Sequence, residues 1–101
     1  MRMIMLVQCP IEPFNTLIKN GTVGAKMHAI LEATKPEVAY FTEREGHRGA
    51  IFVVDVNGAS DVTRLAEPWF LGFNAEVEFR IAMTAEELGG ANLEAMGKLW
   101  G

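Results

Sequence analysis

The chain has 101 residues, half of them hydrophobic and 22% charged, which excludes a disordered chain and points to one domain spanning 1–101. Nine Lys and Arg against 13 Asp and Glu leave a net charge of −4, so the chain lacks the positive surface a nucleic-acid partner requires. A domain this small buries only roughly 65% of its unfolded surface, and 50% apolar content is more than one such core uses.

Met3 to Cys9 is an unbroken apolar run stopped by Pro10 and Pro13, the pattern of a strand buried on both faces. It is far too short to span a bilayer. It also lacks a basic leader and a small-residue cleavage site, so neither a membrane anchor nor a signal peptide is expected. Cys9 is the single cysteine; it excludes an internal disulfide and fits a reducing, cytoplasmic setting. At the end of a buried strand it reads as an inert packed thiol.

Phe14, Leu17 and Ile18 mark one helical face, and Val23, Met27, Ile30, Leu31 and Thr34 a second, differently directed one. A straight helix cannot bury both, so a break is expected at Asn20-Gly21, with Lys35-Pro36 as the end. His28 lies at the border of the second face. Val38–Glu45 and Ala50–Val56 predict a hairpin around Gly46–Gly49. A two- or four-residue loop puts Tyr40, Thr42 and Arg44 on one face with Ile51, Val53 and Asp55, and Ala39 and Phe41 on the other with Phe52 and Val54, whereas a three-residue loop with a bulge changes that register.

Ser60 is the expected N-cap of a helix carrying Val62, Leu65, Ala66, Trp69 and Phe70 as its apolar stripe, with Pro68 kinking it or ending its regular part. Ala75–Met83 alternates: Val77, Phe79, Ile81 and Met83 on one face, Glu76, Glu78 and Arg80 on the other. Thr84 to Glu87 matches a capping box, Gly89-Gly90 interrupts, and Leu93, Met96 and Trp100 form a last face, making 84–101 a helical tail.

The order strand, helix, strand, strand, helix, strand predicts an α+β, ferredoxin-like βαββαβ sandwich, a four-stranded antiparallel sheet with helices on one face. The helix-free face then carries the surplus apolar side chains, and a homodimer through these faces is expected.

The phrases Lys35 to Glu43, Gly46 to Gly49, Val54 to Val56, Leu65 to Leu71, Asn74-Ala75 and Met83 to Leu88 resemble a group of small uncharacterised bacterial proteins similar to the dimeric α+β barrel superfamily. That superfamily includes muconolactone isomerase-like proteins and cofactor-free monooxygenases. The resemblance implies a dimeric barrel with a small-molecule pocket between sheet and helices or inside the barrel.

Catalytic candidates are Glu78, His47 and Tyr40, for proton transfer or hydrogen bonding to a ligand. Ligand-binding candidates are Arg44, Arg80 and Glu76, for an anionic or aromatic compound. Each has a plainer reading: edge-strand charges facing water for Glu76, Glu78 and Arg80, an exposed loop tip for His47, interface packing for Tyr40. No cofactor is expected and no metal, since neither His28 nor His47 has a second ligand at suitable spacing. A non-catalytic ligand sensor or a structural homodimer is the alternative to an enzyme.

Overall fold

Strand β1 (Arg2–Cys9) lies in the middle of the sheet because its neighbours pair on both sides of it. The computed structural model describes all residues 1–101. After β1 come α1 (Phe14–Lys19), α2 (Val23–Thr34), β2 (Val38–Arg44), β3 (His47–Asp55), α3 (Ala59–Phe73), β4 (Glu76–Ile81), α4 (Ala85–Gly89) and α5 (Leu93–Trp100). The sheet is antiparallel in the order β2-β3-β1-β4. This is the expected ferredoxin-like layout, with α1 to α3 on one face. No helix is long and apolar enough to cross a membrane.

Register assigns every strand residue to a face. Met3, Met5, Val7 and Cys9 of β1 pair with Val54, Phe52, Ala50 and Arg48 of β3 and face the helices. There they meet Ile30, Leu65, Trp69 and Phe73 in one core. Aromatic rings run through it: Phe14 to Phe73 at 5.1 Å, Phe73 to Trp69 at 5.5 Å, Trp69 to Phe52 at 5.3 Å, and Phe52 to Phe41 edge-on at 6.0 Å. The opposite face presents Val38, Tyr40, Thr42 and Arg44 beside Val53, Ile51, Gly49 and His47, then Ile4, Leu6 and Gln8, then Arg80, Glu78 and Glu76.

The helix break falls where two incompatible apolar faces demand it. Asn20 Oδ1 accepts from the backbone N–H and the hydroxyl of Thr22, at 3.1 and 2.5 Å, and Gly21 takes φ +78°. The hairpin keeps the expected faces but has a shorter loop. Only Glu45 and Gly46 lie in the turn, at φ +51° and +79°, as a two-residue type I′ connection requires. His47 and Arg48 therefore belong to β3, and His47 is not a loop-tip residue.

Further departures have physical causes. α3 begins at Ala59 with Gly58 as N-cap instead of Ser60. The first turn is tied by Asp61, whose Oδ2 accepts the Asn57 backbone N–H at 2.8 Å. The helix continues through Pro68 to Phe73, where burial of Trp69 and Phe73 offsets the hydrogen bond Pro68 cannot donate. Phe70 is 40% exposed; Phe73 takes its expected place because it continues the Leu65–Trp69 row. Ile18, Ile81 and Met83 are exposed, the first on a six-residue helix, the second as the last residue of β4 and the third beyond the strand's end. β4 itself ends at Ile81.

The surplus apolar content is also divided differently from expectation. Tyr40, at 66% exposure, and Ile51 lie on the helix-free face, but Leu93, Met96, Leu99 and Trp100 of α5 are exposed as well. From Met83 onward every residue is exposed.

Candidate ligand-binding site

On the helix side, core-facing side chains of the sheet stand in cross-strand rows. One row is Phe79, Met5, Phe52 and Ala39; the next is Val77, Val7, Ala50 and Phe41. Ala50 occupies the central position that Phe52 fills in the neighbouring row, so the second row is short of volume. A chamber of about 310 Å³ stands over it, lined chiefly by Val7, Cys9, Phe14, Phe41, Ala50 and Trp69, with Met27 and Arg48 at its margins. Seven of the ten lining residues are hydrophobic, which suits an apolar guest fixed by few polar groups.

Arg48 supplies the charge. It follows Cys9 across the strands, and its guanidinium carbon lies 4.7 Å from the centre of the Phe14 ring. The ring face attracts the cation and holds it at the chamber without neutralising it. None of the ion pairs of the chain uses Arg48. Glu43, its register partner, instead accepts the Gly46 backbone N–H at 2.7 Å. Cys9 is buried, and burial pushes its thiol pKa up, with Arg48 opposing; at neutral pH it is a packed thiol, as expected, and it also forms chamber wall.

Two further hollows adjoin. Cys9 and Arg48 also line one of about 310 Å³ together with Pro10, Ile11, Asn15 and His47. His47 and Pro10 in turn share a small polar hollow of about 110 Å³ with Gln8, Asn74 and Glu76. A continuous path of shared residues thus leads from the apolar chamber past Arg48 to His47 and then Glu76. His47 Nδ1 lies 3.1 Å from the Glu45 carbonyl oxygen, which orients the ring at the turn.

The other sequence candidates gather on the helix-free face. Arg44 and Arg80 bracket Glu78: Arg44 Nη2 is 3.6 Å from Oε1, and Arg80 Nη2 is 3.3 Å from Oε2. Arg44 reaches across because Gly49 has no side chain in its way; a Cβ there would stand 3.1 Å from Arg44 Cγ. Tyr40 pairs in register with Ile51 on the same face. The six candidates therefore share one side of the sheet, with His47 and Glu76 at the end nearest the chamber. Arg48, Cys9 and Ala50 were missed as a group. Continuing the β3 alternation of Phe52 and Ala50 two residues further back, to Arg48, is the signal that finds them.

No protein-family model matches the sequence, and no curated protein is significantly similar to it. Among solved structures, 5-chloro-2-hydroxyhydroquinone dehydrochlorinase (TftG) from Burkholderia phenoliruptrix AC1100, in complex with 2,5-dihydroxybenzoquinone, superposes with a TM-score of 0.58 at 19% identity. The match covers 86% of this chain and 99% of that one. The likeness is one of fold. The de novo designed protein Ferredog-Diesel matches with a TM-score of 0.43 at 12% identity, over 79% of this chain and 83% of that one.

Proposed function

We propose that the protein binds a small aromatic molecule bearing an acidic oxygen, its ring in the apolar chamber and its charge at Arg48. The make-up of the chamber carries this reading: an apolar volume sized for a single substituted ring, with one guanidinium unpaired within the chain beside it. The fold neighbour held with 2,5-dihydroxybenzoquinone is consistent with a ring of that class. Where the guest is turned over, the chemistry is cofactor-free proton transfer. His47 does not line the chamber; it acts on a part of the guest that extends past Arg48 into the adjoining hollow, taking a proton there and returning it at another position, an isomerase-type reaction. A non-catalytic binding module would use the same chamber, and His47→Gln separates the two: turnover is lost while binding is retained.

Trp69 lines the chamber, so ligand titration is read by its fluorescence in a Trp100→Phe background. Benzoates, phenolates and hydroxyquinones are expected to quench saturably. Arg48→Gln weakens binding roughly ten-fold or more, the loss of a charge-assisted hydrogen bond. Ala50→Val fills the chamber and abolishes binding with the far-UV circular dichroism unchanged. No quenching by any member at millimolar concentration, or equal binding by Arg48→Gln, refutes the reading.

We further infer that two copies pair through their helix-free faces. The exposure of Val38, Tyr40 and Ile51 on one flat face supports this. Light scattering then gives about 22 kDa, twice the chain mass of 11.1 kDa; 11.1 kDa at micromolar concentration defeats it.

A further inference from the structure

The small polar hollow past His47 has a chemistry opposite to that of Arg48. Three strands end around it: Gln8 is the last residue but one of β1, His47 opens β3 and Glu76 opens β4. Pro10, just beyond β1, and Asn74, whose left-handed backbone at φ +54° ends α3, complete the lining. Gln8 and Glu76 are direct cross-strand neighbours, so an amide and a carboxylate stand side by side on the helix-free face. The hollow measures about 110 Å³ against 310 Å³ for the chamber, room for the polar end of a guest.

Acceptors dominate this lining. A carboxylate accepts hydrogen bonds and donates none. The Glu45 carbonyl oxygen, 3.1 Å from His47 Nδ1, also only accepts, so Nδ1 carries the hydrogen and Nε2 of the neutral ring is left as an acceptor. The amides of Gln8 and Asn74 each offer an oxygen too. No Lys or Arg lines the hollow, and Glu76 takes part in no ion pair of the chain. The side chains of Gln8, Asn74 and Glu76 make no hydrogen bond within the chain either. An anion would find no charged donor here, whereas a cation with several N–H groups meets acceptors from every side.

We propose that this hollow is a second subsite, taking a primary ammonium group on a side arm of the guest, with Glu76 as its counter-ion. The inference rests on the chamber reading: the ring lies in the chamber, its acidic oxygen at Arg48, and the arm passes His47. β1 runs between β3 and β4, so two strand spacings, roughly 10 Å, separate the backbones of His47 and Glu76. With side chains reaching in from both, an arm of about five atoms bridges that gap. Glu76 then receives the positive end of a guest and repels a negative one. It is exposed, so the pair is partly solvated and contributes to selectivity more than to affinity.

Four matched ligands test this by Trp69 fluorescence in the Trp100→Phe chain: benzoate, 2-butoxybenzoate, 2-(3-aminopropoxy)benzoate and 2-(3-carboxypropoxy)benzoate. The amine is expected to bind roughly five-fold more tightly than its butyl isostere, the effect of one partly solvated ion pair. The carboxylate arm should bind more weakly than either. In Glu76→Gln the amine and butyl compounds should bind alike, with benzoate affinity as in the parent. Each comparison sets two ligands against one protein, so any change in chain pairing cancels. Benzoate binding with equal affinities for the amine and butyl compounds overturns the subsite and leaves the chamber standing. So does an amine preference that survives Glu76→Gln, or tightest binding by the carboxylate arm. If benzoate itself does not bind, the chamber reading falls and the subsite falls with it.

Discussion

Gly49 and Asp61 show how much can rest on a single small or charged residue. At Gly49 a Cβ would stand 2.7 Å from the Val7 carbonyl oxygen and 3.1 Å from Arg44 Cγ. The first neighbour is backbone of the central strand and cannot swing aside. Gly49→Ala is therefore expected to destabilise by about 1–3 kcal/mol, as overpacking does, and to displace Arg44 from Glu78; urea unfolding measures the loss. Asp61 is held below its ordinary pKa first by the Asn57 backbone N–H and then by Arg64. Its folded value lies under its unfolded one, so folding favours the charged form. That stabilisation is complete above the unfolded value near pH 4 and is lost as pH falls through the folded value. Asp61→Asn should thus make the melting temperature fall less steeply with acidification below about pH 4. Melts from pH 7 down to 3 check the slope, and an unchanged slope contradicts the assignment.

Among the elements, the β2–β3 hairpin positions the site. Its two-residue turn forces Glu45 to φ +51°, a left-handed conformation costly for a long side chain and tolerated by Asn. Glu45→Asn is expected to stabilise by about 0.5–1 kcal/mol, seen as a rise in melting temperature without loss of ligand binding, because the backbone already adopts the required shape. The same tight turn draws His47 and Arg48 into β3 on opposite faces. Arg48 looks into the helix side and His47 stays on the helix-free side, next to a hollow the two share. A four-residue loop would have kept both out of the strand and left the chamber without its charge.

At the scale of the whole molecule, the sheet separates two sets of polar residues. The Arg44–Glu78–Arg80 cluster lies on the helix-free face and the chamber lies behind the strands. Glu78→Gln should accordingly leave the chamber's ligand affinity unchanged, while any effect falls on chain pairing. Calorimetric titration beside equilibrium sedimentation distinguishes these; a shifted ligand affinity would connect the two faces. The ion pairs in this cluster are partly exposed, so their role is orientation across the face more than stability.

The sequence alone determined what depends on near neighbours along the chain. Periodicity identified β1, the two pieces around Asn20-Gly21, the hairpin faces and the Thr84 capping box, because strand alternation, helical spacing and caps act within a few residues. Parity along each strand grouped Tyr40 with Arg44, and Glu76 with Glu78 and Arg80, while the pairing of β4 and β3 with β1 is what puts the two groups on one side of the sheet. Only the tertiary structure decided the chamber, which exists because Ala50 falls between Val7 and Phe41 from other strands, beneath Phe14 and Trp69 from two helices. Volume left unfilled by four separate segments has no signature in any one of them. The surplus apolar content likewise belonged to no local pattern. Its division between the open sheet face and α5 follows from where packing ends, and that is settled only when all the elements are assembled.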